Sequence, residues 1–379
     1  MMKLLPVPEI LIGESSLEKT VSILDRLKAG KVLVVTDSGI VKAGVYDQLK
    51  TLLEAAGKTI VLFDRVQPDP EINLVREAVE LARQAGVDAV IGLGGGSSLD
   101  TAKVAAALVT NPKDINAYIG VDLLEKDALP TIAIPTTAGT GSEVTHIAIL
   151  SDDSEQLKKG IVSAKMIPRY AILDPKLTIG LPPYATAVTG MDALIHALES
   201  FTSIHANAYS EALGLRAIEL ISKNIRTAFS HGTDLKAREA MLFGSLLAGM
   251  AFANVGVAAA HAFAYPLGGM FHVPHGLSTS LMLIPVMAFN MTGNEAKYEM
   301  MAQSLTGRRD VTAQTAMDEI ERLVADLKLP RNLAGVNVPE SALPIMAEKV
   351  MDVTRLLGNN PRKVTQDDAL AIYRFAYAR

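Results

Sequence analysis

Short apolar runs alternate with helical spacing along the first 175 residues. Val32 to Val35 form a continuous apolar run that ends in Asp37-Ser38-Gly39, the pattern of a strand covered on both faces where it meets a turn. Residues 41–55 return to helical spacing, 58–63 read as a second strand, 72–85 as a helix, and 88–93 as a third strand before Gly94-Gly95-Gly96. Helical pattern resumes over 97–109, and 131–134 supply a fourth strand. Such alternation predicts an α/β domain with parallel strands.

The period changes after Tyr170 to Leu173 and the proline-rich Leu181-Pro182-Pro183. Helical patterns then cover 184–202, 206–229, 235–264, 277–290, 301–305, 312–327, 341–351 and 366–378, with no strand of comparable strength. We therefore expect a Rossmann-like α/β domain over residues 1–178 and an all-helical domain over 179–379. The apolar stretch 248–264 is interrupted by Gly249, Asn254, Gly256 and His261, so it reads as a core helix and not as a membrane span. The amino-terminal apolar stretch is too short for a secretory signal and lacks its small-residue cleavage site, which makes a cytoplasmic protein the expectation.

Composition narrows the chemistry. The chain has 379 residues and no Cys, which excludes disulfides, thiolate metal sites, iron–sulfur ligation and cysteine nucleophiles. Its 36 Lys and Arg against 41 Asp and Glu leave a net charge of −5, so neither a nucleic acid nor an anionic bilayer is an expected partner.

Two loops carry the signature of a phosphate ligand. In Gly94-Gly95-Gly96-Ser97-Ser98-Leu99-Asp100 a strand passes through a glycine turn into a helix start, where free N–H groups can receive a pyrophosphate. On its own the same turn serves equally as an ordinary junction, with Ser97 or Ser98 as N-cap and Asp100 as a first-turn acid. Pro135-Thr136-Thr137-Ala138-Gly139-Thr140-Gly141-Ser142-Glu143 is a second donor-rich loop after an apolar strand. Two such turns in one sheet would converge where α/β proteins bind nucleotides. Asp37, after the first strand, suits a hydrogen bond from an adenosine ribose and would repel a ribose phosphate, favouring NAD over NADP.

The histidines are clustered too. Asp192 and His196 stand four apart, hence on one helical face, while His261 closes an apolar helix and His275 precedes the next. Each alone would pass for a hydrogen-bonded core residue. Together they offer one carboxylate and three imidazoles, a set suited to Fe2+, Zn2+ or another first-row dication.

These residues resemble the iron-containing alcohol dehydrogenases, a metal-dependent family related to glycerol dehydrogenase and dehydroquinate synthase. The glycine turn through Lys103 resembles that family's pyrophosphate-binding segment, and the 135–143 loop its second cofactor loop. Gly190-Met191-Asp192 through His196 resembles one metal half-site, and His261 with Pro274-His275-Gly276 the other. The resemblance implies NAD(P) in the first domain, metal in the second, and a small alcohol or aldehyde in the cleft between them. It implies Asp37, Gly94, Gly95, Gly96, Ser97, Ser98, Thr136, Thr137, Thr140 and Lys158 as cofactor residues, and Asp192, His196, His261 and His275 as ligands. The family often has a further His four residues after His261, where this chain has Tyr265; His272 is then the candidate for proton transfer. A homodimer or larger homo-oligomer is expected. A polyol or hydroxy-acid dehydrogenase and a dehydroquinate synthase-like lyase are the alternatives that the same resemblance admits.

Overall fold

The computed structural model describes residues 4–152 and 157–379 and divides the chain into two compact units, Met1–Leu181 and Pro182–Arg379. The first contains, in order, β1 (Glu9–Ile12), α1 (Lys19–Arg26), β2 (Lys31–Val35), α2 (Ser38–Lys42), α3 (Val45–Ala55), β3 (Thr59–Phe63), α4 (Ile72–Ala85), β4 (Ala89–Gly94) and α5 (Gly96–Thr110). It continues with β5 (Gly120–Val121), β6 (Thr131–Pro135), β7 (Ile147–Asp152), β8 (Leu157–Val162) and β9 (Tyr170–Leu173). Six of these strands form one parallel sheet in the order β1-β9-β6-β4-β2-β3.

Alternation along β2 shows why its apolar run is unbroken. Val32 and Val34 pack with Leu24 of α1 and Leu49 of α3, whereas Leu33 and Val35 join Val75 of α4 and Ala105 of α5 on the opposite face. Burial on both faces removes the polar alternation of a half-exposed strand. The expected four strands are present, and two features escaped the pattern. β1 is a four-residue edge strand, and β7 with β8 forms an antiparallel hairpin that joins β5 in a separate three-stranded sheet.

The second unit is helical: α6 (Pro183–Thr202), α7 (Ala208–Ser230), α8 (Leu235–Val255), α9 (Ala259–Phe271), α10 (His275–Met291), α11 (Glu295–Thr306), α12 (Ala313–Asp326), α13 (Leu343–Val350), α14 (Thr354–Leu357) and α15 (Gln366–Ala378). α6 is its central helix, buried from Gly190 to Thr202 and packed by α7, α8 and α10. The single helix expected over 235–264 is instead two, bent by 100°. Gly256 breaks it: its φ of +75° lies in the left-handed region, and Asn359 occupies the space that a side chain there would need. Among the described residues no single helix is long and apolar enough to cross a membrane.

Candidate functional site

Adjacent strands β6, β4 and β2 bring the predicted cofactor residues other than Lys158 to one edge of the parallel sheet. At the carboxyl end of β2, Asp37 caps α2, its Oδ1 accepting from the Gly39 and Ile40 amides at 2.8 and 3.1 Å. Its Oδ2 lies 3.4 Å from where a Cβ would stand on Gly94, at the end of β4. β6 delivers the threonine loop: the Thr136 amide donates to the Gly94 carbonyl at 3.0 Å. A Cβ on Gly95 would meet Thr137 Oγ1 at 3.6 Å, and one on Gly96 would meet Thr140 Oγ1 at 3.0 Å. The two loops therefore touch, and glycine is what lets them.

Neither Ser97 nor Ser98 is the N-cap of α5. Gly95 holds that position and makes no side-chain cap bond, so the first amides of the helix depend on other acceptors. Ser98 is buried with its hydroxyl against Gly94, whereas Ser97 is partly exposed. Asp100 does more than a first-turn acid: it accepts from the Ser142 hydroxyl at 2.5 Å and the Ile149 amide at 2.9 Å. Beside it the buried Lys103 ammonium, 3.0 Å from Asp100, also reaches the carbonyls of Ser142 and Ile147 and the Thr145 hydroxyl. This charged pair, which the spacing did not single out, ties the second loop to α5. Glu143 in that loop is buried, and loss of solvation pushes its carboxyl up to about 7. Lys158 on β8 pairs with Asp69 at 2.6 Å, and its neighbour Lys159 with Asp152 at 2.7 Å.

In the second unit α6, α9 and α10 bring the metal candidates together. Oδ1 of Asp192 lies 3.7 Å from Nε2 of His261 and 3.7 Å from Nε2 of His275, and one ligand atom from each residue falls within 4.8 Å of the others. His196 Nε2 is 4.0 Å from the other Asp192 oxygen, and its ring stacks between His261 and Phe252 at centroid distances of 4.6 and 4.4 Å. Burial raises the proton affinity of Asp192, but His196, His275 and His261, with a hydrogen bond from Thr279, outweigh it and hold the carboxyl below its ordinary range. His261 is opposed by burial yet raised overall by Glu199 and Asp192.

One atom tests the fit to a metal. His261 Nε2 is buried and has no hydrogen-bond partner, while its Nδ1 faces Glu199. A buried lone pair without a donor is costly, and a cation shared with Asp192 and His275 satisfies it. One carboxylate with neutral imidazoles leaves a bound dication a net positive charge, as a Lewis acid needs.

The remaining candidates stand apart. His272 is exposed at the carboxyl cap of α9, with a φ of +54°. The Tyr265 phenol accepts a hydrogen bond from Arg355; burial raises its pKa and Arg355 opposes that rise. Glu199, unassigned by spacing alone, lies seven residues after Asp192 and three after His196 on the same helix, which was its available signal.

Comparison with known proteins identifies the family. Residues 7–175 match the model of the iron-containing alcohol dehydrogenases, and residues 186–377 match the C-terminal model of the Fe-containing alcohol dehydrogenase family. The chain belongs to this family. It is 40% identical over 375 residues to long-chain-alcohol dehydrogenase 1 of Geobacillus thermodenitrificans, covering 97% of this chain and 94% of that one. A sulfoacetaldehyde reductase of Bilophila wadsworthia is 38% identical over 373 residues, covering 97% and 96%. Among solved structures, a 1,3-propanediol oxidoreductase superposes with a TM-score of 0.96 at 36% identity, and an alcohol dehydrogenase from Oenococcus oeni with 0.95 at 31%, each covering both chains fully. Family membership carries a class of chemistry: metal-assisted alcohol or aldehyde dehydrogenase.

Proposed function

We propose that the protein is an NAD-dependent alcohol dehydrogenase or aldehyde reductase, acting reversibly on a small alcohol or aldehyde. The meeting of Asp192, His261 and His275 around the unpartnered Nε2 carries the reading, because this is a built cation site inside a dehydrogenase family. Asp192, His196, His261 and His275 would hold the ion, Fe2+ by family resemblance or Zn2+ by the same donor chemistry. Bound metal supplies polarisation of the substrate oxygen, and bound NAD(H) supplies or accepts hydride at the carbon that bears it.

The chain itself provides placement. Amides at the start of α5, with Gly94, Gly95, Gly96 and Ser97, would receive the pyrophosphate, and Thr136, Thr137 and Thr140 would add donors from the second loop. Ser98 supports Gly94 from beneath; Lys158 would need to exchange Asp69 for the cofactor. Asp37 would take a ribose hydroxyl. His272, three residues from His275, is the exposed base proposed to pass the proton to water. Long-chain alcohol, sulfoacetaldehyde and 1,3-propanediol in the relatives' names support a primary alcohol or its aldehyde as substrate.

The test is a fluorescence titration with NADH beside a rate screen of aliphatic aldehydes, diols and short hydroxy acids. Both run on stripped protein and on protein restored with Fe2+ or Zn2+. Cofactor binding should persist without metal and turnover should return with it. His261→Ala and His275→Ala should each lower metal occupancy at least tenfold with helicity retained. Undiminished turnover in verified metal-free protein would refute the reading.

A further inference from the structure

Glu199 is a buried acid, 5% exposed, that makes three hydrogen bonds at the root of the second unit. Its Oε1 accepts from the Ala260 amide at 2.5 Å, and its Oε2 accepts from the Ala258 amide at 2.9 Å and from His261 Nδ1 at 2.6 Å. Both amides lie at the opening of α9, where the N-cap is Ala258, a residue with no side-chain acceptor to offer. The break at Gly256 thus leaves a helix start inside the protein, and a residue 59 positions earlier satisfies it.

The third donor has a different consequence. A carboxylate accepts and does not donate, so in the neutral His261 ring the hydrogen sits on Nδ1 and the lone pair on Nε2. That Nε2 is the buried, unpartnered atom 3.7 Å from Asp192 Oδ1. The opposite tautomer would turn an N–H toward the place where a cation is needed.

We propose that Glu199 is a positioning residue for metal capture: it fixes the ring orientation and tautomer of His261 and clamps the turn of α9 that carries it. The inference rests on the metal-site reading above. Outer carboxylates that receive the second N–H of a ligating histidine typically change metal affinity 10- to 100-fold, on the order of the effect expected here.

Capping and positioning are separable by substitution. In Glu199→Gln one oxygen becomes an NH2 group, which must face an N–H whichever way the amide turns. The orientation that loses least keeps the carbonyl toward Ala258 and His261 and gives up Ala260, so His261 retains an acceptor without its charge. Glu199→Leu removes every acceptor.

The experiment titrates Co2+ as the probe metal into full-length wild-type, E199Q and E199L proteins in competition with a chelator. It reads affinity and the visible absorption of bound Co2+, with thermal unfolding of the metal-free proteins alongside. A severalfold weakening in E199Q, where His261 keeps an uncharged acceptor, and a tenfold or greater loss with an altered Co2+ spectrum in E199L, is the expected result. Wild-type affinity and spectrum in folded E199L, with only a lower unfolding temperature, would reduce Glu199 to a helix cap and overturn the proposal; should E199L not fold, unchanged Co2+ affinity in E199Q, whose acceptor has lost its charge, overturns it as well. Failure is distinguishable from failure of the underlying reading: there the wild-type protein itself takes up no Co2+, or His261→Ala takes it up equally well.

Discussion

Gly276 on α10 and Val188 on α6 meet backbone to backbone: a Cβ on Gly276 would overlap the Val188 carbonyl. The same Cβ would stand 3.5 Å from that of Asp192. The obstacle is main chain, which has no flexible end to swing away. Gly276→Ala should push α10 from α6, separate His275 from Asp192 and lower Zn2+ affinity by at least tenfold. The overpacking should also cost about 1–3 kcal/mol of stability. Chelator competition and denaturant unfolding measure the two, and unchanged affinity would show that His275 tolerates the shift.

Asp37 predicts a cofactor preference. A carboxylate at the end of β2, 3.4 Å from the Cβ position of Gly94, suits a ribose hydroxyl and opposes a phosphate dianion. The wild-type protein should favour NADH over NADPH, and Asp37→Gly should narrow the ratio of kcat/KM values. A wild-type preference for NADPH would count against the contact.

The contact between the two loops predicts a rescue. On Gly96 a Cβ would stand 2.6 Å from Thr140 Cγ2, so Gly96→Ala must displace the threonine loop and should weaken NADH binding severalfold. Thr140→Ser deletes the offending methyl. The double variant should therefore bind NADH more tightly than Gly96→Ala alone, whereas additive losses in fluorescence titration would deny the coupling.

Glu143 gives a pH signature. Its carboxyl is raised from 4.5 to about 7 by burial, so the folded state keeps a proton that the unfolded state has already released. Stability should thus fall as pH rises from about 4.5 to about 7, and the cost should be complete above that window. Glu143→Gln removes the ionisation. Relative to wild type it should gain on the order of 3 kcal/mol between pH 4.5 and pH 8 in denaturant unfolding. A pH-independent difference would refute the assignment.

Much of this was legible in the chain because period reports burial. The unbroken β2 run, the glycine turn after β4 and the spacing of Asp192 and His196 each reflect local geometry. Long-range choices were not legible. No period shows that Lys103 and Asp100 tie α5 to the 142–149 segment, since those partners lie about forty to fifty residues away. Likewise the helix break at Gly256 reads as an ordinary apolar stretch with a glycine until Asn359, a hundred residues on, fills the space beside it. β1 is hidden for another reason: at four residues on the sheet edge, it has too few positions to show alternation.

That edge strand sets an order of events during synthesis. Among the described residues Glu9–Ile12 pairs with Tyr170–Leu173 alone, and the Leu17 amide is held by Asp174, 157 residues downstream. Contacts this distant form late, because the chain between must close a long loop first. On the ribosome the first strand waits, unpaired, until nearly half the protein has emerged, and a chain stopped before Tyr170 would display the open flank of β6 as well. Its amino-terminal segment is then a place where a chaperone, or another nascent copy, competes with the protein's own ninth strand.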